Sequence, residues 1–131
     1  MKLLLDTHIW LWSLLEPEKL SRRVIRELEN SENELWLSPI SIWEVLMLSE
    51  KGRIEIAGDV DIWVTERLNA SPLHEAPVTH EVAMEIHRFR LPHRDPADRF
   101  LVATARVFHL TLVTSDSRLL KIRDTPILPN R

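Results

Sequence analysis

Apolar positions along the chain fall into two kinds of run. Short, nearly unbroken ones at Lys2–Leu5, Glu34–Leu37 and Thr111–Thr114 read as buried strands. The others carry helical spacing or helix boundaries. Ile9–Leu15 reads as an apolar helix broken around Pro17, and Ser21–Asn30 as an amphipathic, charge-laced helix that Ser21 can cap. Ser38-Pro39 opens the next helix, in which Ile40, Trp43, Met47 and Leu48 recur at helical spacing and which Gly52 ends. Residues 59–69 suggest a further helix, Leu73–Val78 a short edge strand beside Pro72 and Pro77, and Thr79 to about Phe89 another helix. Asp95-Pro96-Ala97-Asp98 starts the clearest helix, with Ala97, Leu101, Ala105 and Phe108 on one stripe. A short helix after Ser115-Asp116 and a last strand at Pro126–Leu128 finish the chain. Strands alternating with helices at this pitch predict an α/β fold, a mainly parallel sheet covered on both faces. With no internal repeat, low-complexity segment or linker, residues 1–131 read as one domain.

Composition narrows the chemistry. The absence of cysteine removes disulfides, thiolate zinc sites and thiol nucleophiles together, and fits a reducing compartment. Only Gly52 and Gly58 are glycines, so there is no phosphate-cradling or dinucleotide-binding glycine loop. The six histidines lack the H-E-x-x-H spacing of a zinc protease. Asp6 and His8 interrupt the apolar opening, which speaks against a signal peptide. No stretch approaches the ~20 apolar residues of a membrane span, so the expectation is a soluble, cytoplasmic protein. The net charge of −3 is unevenly spread. Residues 1–84 carry 8 Lys/Arg against 15 Asp/Glu, and residues 85–131 carry 9 against 5. That basic C-terminal third can hold phosphates or be a solvated face. The five tryptophans, at 10, 12, 36, 43 and 63, are most simply core and dimer-interface residues.

Five carboxylates stand in settings from which acids are usually excluded: Asp6, Glu44, Asp95, Asp98 and Asp116. Asp6 and Asp116 lie just past the ends of two strands, where open parallel sheets form their ligand sites. Both can also be helix N-caps. Asp95 can cap its helix with Pro96 as the first helical residue, which leaves Asp98, a third-position acid, in excess of what capping needs. Glu44 sits mid-helix in Ile40–Leu48, where no cap explains it, although it could point to solvent with Ser41 and Glu50. Acids gathered on one pocket would repel by on the order of 4 kcal/mol per pair at ~4 Å and an effective dielectric near 20. Protonation or a divalent cation relieves this, and an oxygen-only donor set selects Mg²⁺ or Mn²⁺. Beside these acids His87, Arg88, Arg90, His93 and Arg94 form a basic cluster suited to phosphate contact.

The strand ending in Asp6-Thr7, the segment LSPISIWEV around Glu44, DPADRFLVATA and LVTSD together resemble a PIN domain, and more closely the VapC ribonuclease toxins of prokaryotic toxin–antitoxin pairs. The resemblance covers essentially the whole chain. It implies a three-layer α/β/α sandwich, Mg²⁺-dependent hydrolysis of RNA phosphodiester bonds, a cognate antitoxin occupying the acidic groove, and commonly a homodimer. The family's acidic quartet falls on Asp6, Glu44, Asp98 and Asp116. Asp6 and Asp98 would then ligate the first metal, with Glu44 and Asp116 completing the site. Asp95 is expected as a supporting residue or cap, and Thr7, Thr114 and Ser115 as hydroxyls that orient ligands or water. Arg88, Arg90 and Arg94 are the candidates for RNA phosphates. The rival reading is a metal-binding module that engages RNA or protein without cutting; a haloacid-dehalogenase-type phosphatase would need D-x-D where the chain has Asp6-Thr7-His8.

Overall fold

The computed structural model describes residues 1–91 and 95–131. Its elements are β1 (Lys2–Leu5), α1 (Thr7–Leu15), a 3₁₀ turn (Pro17–Lys19), α2 (Arg22–Glu29), β2 (Glu34–Leu37), α3 (Pro39–Glu50), α4 (Val60–Ala70), β3 (Leu73–Glu75), α5 (His80–Ile86), α6 (Pro96–Phe108), β4 (Thr111–Thr114) and β5 (Ile127–Pro129). The five strands form one sheet in the order β3-β2-β1-β4-β5, and every pairing is parallel. β1 is central because its three leucines are buried on both faces. Leu3 and Leu5 pack with Ile9, Trp10, Val24, Val45 and Val64 under α1–α4, whereas Leu4 packs with Leu101, Val102 and Ala105 of α6. The period-two alternation of a strand thus sends successive leucines into separate cores, and the sheet becomes the middle of three layers. The expected mixed α/β fold with a parallel sheet is what forms.

Several boundaries follow local chemistry. Ser21 caps α2 by accepting from the Val24 N–H at 3.1 Å. Gly52 ends the last turn of α3 at φ 67°, a left-handed conformation that glycine adopts without penalty. β3 is an edge strand, as its prolines suggest, but it stops at Glu75. Only the Ala76 N–H continues the ladder, donating to Leu37 O at 2.9 Å before Pro77 removes the next donor. α5 closes at Ile86 rather than near Phe89.

The short helix expected after β4 does not form. Two successive turns stand there instead, Leu119 N–H to Asp116 O at 3.0 Å and Ile122 N–H to Leu119 O at 3.2 Å. Asp124 adopts φ 64°, and Pro126 biases Thr125 away from helical geometry, so a helix cannot run through to the strand. The strand itself begins one residue later than expected, at Ile127, with the Pro126 carbonyl accepting from Leu112 N–H at 2.9 Å.

The Ile40–Trp43–Met47 spacing in α3 does not mark its inward face. Ser41 and Val45 are fully buried, while Trp43 is 57 % exposed. Where nearly every position is apolar, spacing cannot select a face.

Candidate functional site

Strand order decides where the acids meet. From β1 the chain crosses to β2 on one side, while β4 lies on the other, so the carboxyl ends of β1 and β4 form the point at which the winding reverses. Asp6 follows β1 and Asp116 lies two residues beyond β4. The Asp6 N–H still donates to Val113 O at 3.0 Å, extending the β1–β4 ladder to the acid itself.

Asp6 occupies the N-cap position of α1, yet its carboxylate makes no capping bond. Its Oδ2 accepts instead from Thr114 Oγ1 at 2.7 Å. The same hydroxyl oxygen accepts from the Asp116 N–H at 3.0 Å, so buried Thr114 ties the two acids together. Asp116 opens no helix. Its Oδ1 accepts from the Arg118 N–H at 2.9 Å, and its carboxylate is gripped by the Arg118 guanidinium through Nε at 3.1 Å and Nη2 at 2.9 Å.

Glu44 points inward. Its Oε1 accepts from the hydroxyl of Thr7, which also lies 2.9 Å from Ser41 Oγ, and both hydroxyl residues are buried. The solvent-facing alternative, with Ser41 outward beside it, is therefore not what forms. Asp95 and Asp98 divide the two roles that the helix start allowed. Asp95 Oδ1 caps α6 by accepting from Ala97 N–H at 3.0 Å. Asp98, one turn in, is 7 % exposed, with Arg118 Nη2 3.9 Å from its Oδ2.

All five acids line one open cleft of about 480 Å³, together with His8, Trp12 and Arg118. Burial raises the Asp6 pKa, against the lowering effect of the Thr114 hydrogen bond. Burial likewise pushes Glu44 up to about 7. The Thr7 hydroxyl opposes this, and the charges of Asp6, Asp95 and Asp98 add to it. The pocket thus disfavours its own full ionisation, the condition a divalent cation would relieve. Among the described residues no three of these acids are drawn into a finished ligand cluster. An ion such as Mg²⁺, which keeps several waters and takes few carboxylates, does not require one, so the oxygen-only set fits it.

Of the hydroxyl candidates, Thr7 and Thr114 hold acids and Ser115 is exposed on the cleft wall. Arg88 and Arg90 do not line the acid cleft. They line a separate groove, and Arg88 Nη1 pairs with Glu85 Oε1 at 3.2 Å. Arg94 and His93 lie outside the described residues. The residue that sequence reasoning passed over is Arg118. Its placement two positions after an acid at a strand end was the available signal, since that spacing suits a turn that folds the side chain back.

The model of the family described as "PIN domain" matches residues 3–124. The chain is 35 % identical over 119 residues to Ribonuclease VapC22 of Mycobacterium tuberculosis, covering 88 % of each. A chain in the crystal structure of DNA-bound VapBC from Salmonella typhimurium is similar with a TM-score of 0.76 at 18 % identity, over 100 % of this chain and 99 % of that one. A chain of VapBC2 from Rickettsia felis, bound to a DNA fragment from their promoter, gives 0.75 at 16 % identity over 98 % of each. At such identities these two likenesses speak for the fold.

Proposed function

The chain belongs to the PIN domain family, and on that premise we propose that it is an endoribonuclease toxin that hydrolyses RNA phosphodiester bonds and is restrained by a cognate antitoxin. The observation that carries this reading is Asp6. It stands at the N-cap of α1 without capping it and turns its carboxylate into a cleft shared with Glu44, Asp98 and Asp116. A capping acid at that position would accept from the second or third N–H of the helix, and Asp6 is held by the Thr114 hydroxyl instead.

Asp6 and Asp98 would hold a divalent cation, with Glu44 and Asp116 completing its surroundings; Mg²⁺ is the expected ion and Mn²⁺ its substitute. Bound there, such an ion supplies Lewis-acid activation of water and neutralises charge at the phosphodiester. The chain's own residues provide the rest. Thr114 and Thr7 fix the carboxylates of Asp6 and Glu44, so that ligand orientation is set before substrate arrives. Glu44, whose pKa is about 7 without an ion, would give up its proton as the ion binds. Asp95 serves by starting α6 and thereby placing Asp98. An antitoxin that covers the cleft, and a second copy of the chain in a homodimer, suit the large apolar side chains left exposed on adjacent α3 and α4, Trp43 and Ile62.

The test is incubation of the purified chain with structured RNA in Mg²⁺, in EDTA, and as Asp98→Asn. Cleavage that requires the ion and disappears in the variant is expected. A folded protein that binds Mg²⁺ and leaves every RNA intact would instead be an interaction module without hydrolysis.

A further inference from the structure

Beside the acid cleft lies a second groove, about 530 Å³, of opposite character. Arg88, Arg90, Arg106, Arg118, Lys121 and Arg123 line it, and among the described residues Asp124 is its single carboxylate. The cations come from three separate places in the chain: the segment after α5, the last turn of α6, and the turns after β4. Their convergence is therefore tertiary, not one solvated helix face. Arg88 and Arg106 are partly neutralised by Glu85, at 3.2 and 3.3 Å. Arg90, Lys121 and Arg123 are exposed and have no ion pair among the described residues. Like charges brought together in a concavity repel one another, and the concave wall focuses their potential onto whatever polyanion enters.

Arg118 is common to both sites. It lines the groove and the acid cleft alike, and its guanidinium grips Asp116 while reaching toward Asp98. A strand crossing Arg118 would pass directly from the cationic wall to the carboxylates. We propose that this groove binds the backbone phosphates of the RNA strand on one side of the cleaved bond, with Arg118 at the junction between the two. The identity of the polyanion as RNA rests on the ribonuclease reading above; the existence of a phosphate-binding groove rests on the cations. The contacts are to backbone and not to bases, so binding here is blind to sequence and sensitive to salt.

The experiment is fluorescence anisotropy of labelled single-stranded RNA in EDTA, where no strand is cut, over about 50 to 200 mM salt. The wild type is compared with Arg90→Ala/Lys121→Ala/Arg123→Ala and with Arg22→Ala/Arg23→Ala, a charge-removing control on exposed α2. None of the three groove positions has an ion pair to break among the described residues, so the thermal midpoint reports whether the fold is kept. Three lost phosphate contacts should flatten the log K against log salt slope by about 2, at roughly 0.7 per contact on single strands. The loss of affinity, about tenfold or more, should be equal for uridine-rich and adenosine-rich strands. The control should match the wild type. A triple variant with wild-type affinity and slope overturns the groove, and so does a wild type that binds polyglutamate but not RNA. Hydrolysis is read separately in Mg²⁺. Salt-dependent binding lost in the triple variant without any cleavage would keep the groove and remove the nuclease. Cleavage with an unaltered slope would do the reverse.

Discussion

Glu44 shows how much one side chain's surroundings decide. Its pKa of about 7, from an ordinary 4.5, means that the folded chain keeps a proton the unfolded chain releases earlier. The unfolded state then binds fewer protons between those values, so stability falls as pH rises through that window. Buried Asp6 shifts the same way. In EDTA the wild type is expected to lose thermal stability between pH 4.5 and about 7 relative to Glu44→Gln, which has nothing to titrate there. Partial solvent access reduces the effect to on the order of 1 kcal/mol, or about 2–4 °C in Tm. Equal pH profiles of the two proteins by scanning calorimetry would contradict the burial of this carboxyl. Arg118 makes the opposite kind of prediction. Its grip on Asp116 competes with any cation the cleft takes, so Arg118→Ala should bind Mn²⁺ roughly twofold to fivefold more tightly by titration calorimetry. Unchanged affinity would mean that the guanidinium and the ion do not share the site. Asp6 and Glu44 were visible in the sequence as acids in apolar settings. Whether they capped, faced solvent or faced each other was not, because capping and ligation ask for the same residue at the same place.

At the scale of the element, α6 has one acid at its N-cap and one in its first turn, and gives each its own task. Asp95 is the cap and Asp98 the buried carboxylate of the cleft. Asparagine caps as well as aspartate does, so Asp95→Asn should retain the wild-type melting temperature and most of the RNA hydrolysis. Asp95→Ala should lose about 1 kcal/mol. Hydrolysis lost in Asp95→Asn at full stability would promote Asp95 from cap to ligand. Strong local signals survived into the structure: Ser21, the Ser38-Pro39 start and Gly52 each bound the helix they were expected to bound. Where the signal was only apolar content, as after β4 or around α3, the element's type or its buried face was decided elsewhere. The segment between β4 and β5 has its ends held by neighbouring strands and closes as turns.

For the whole molecule, the acid cleft is a stored electrostatic cost that a bound divalent ion would remove. Any divalent ion that binds the folded state alone stabilises it by about 2.7 kcal/mol at a hundredfold excess over Kd. Mg²⁺ or Mn²⁺ should accordingly raise Tm and cancel the pH dependence expected in EDTA, and Asp98→Asn should blunt that rise. An equal rise in Asp98→Asn would place the ion outside the cleft. Among the described residues no helix is long and apolar enough to cross a membrane.

By itself the sequence determined the alternation of strands and helices, the parallel sheet and the identity of the five acids. Each of these follows from local periodicity and from the scarcity of charged side chains in apolar runs. The tertiary structure alone decided which acids share a cavity, that Thr114 and Thr7 hold two of them, and that Arg118 divides an acidic cleft from a basic groove. These are relations between residues as far apart in the chain as Asp6 and Arg118. They depend on strand order and on the direction of a side chain across the sheet, and periodicity along the chain specifies neither.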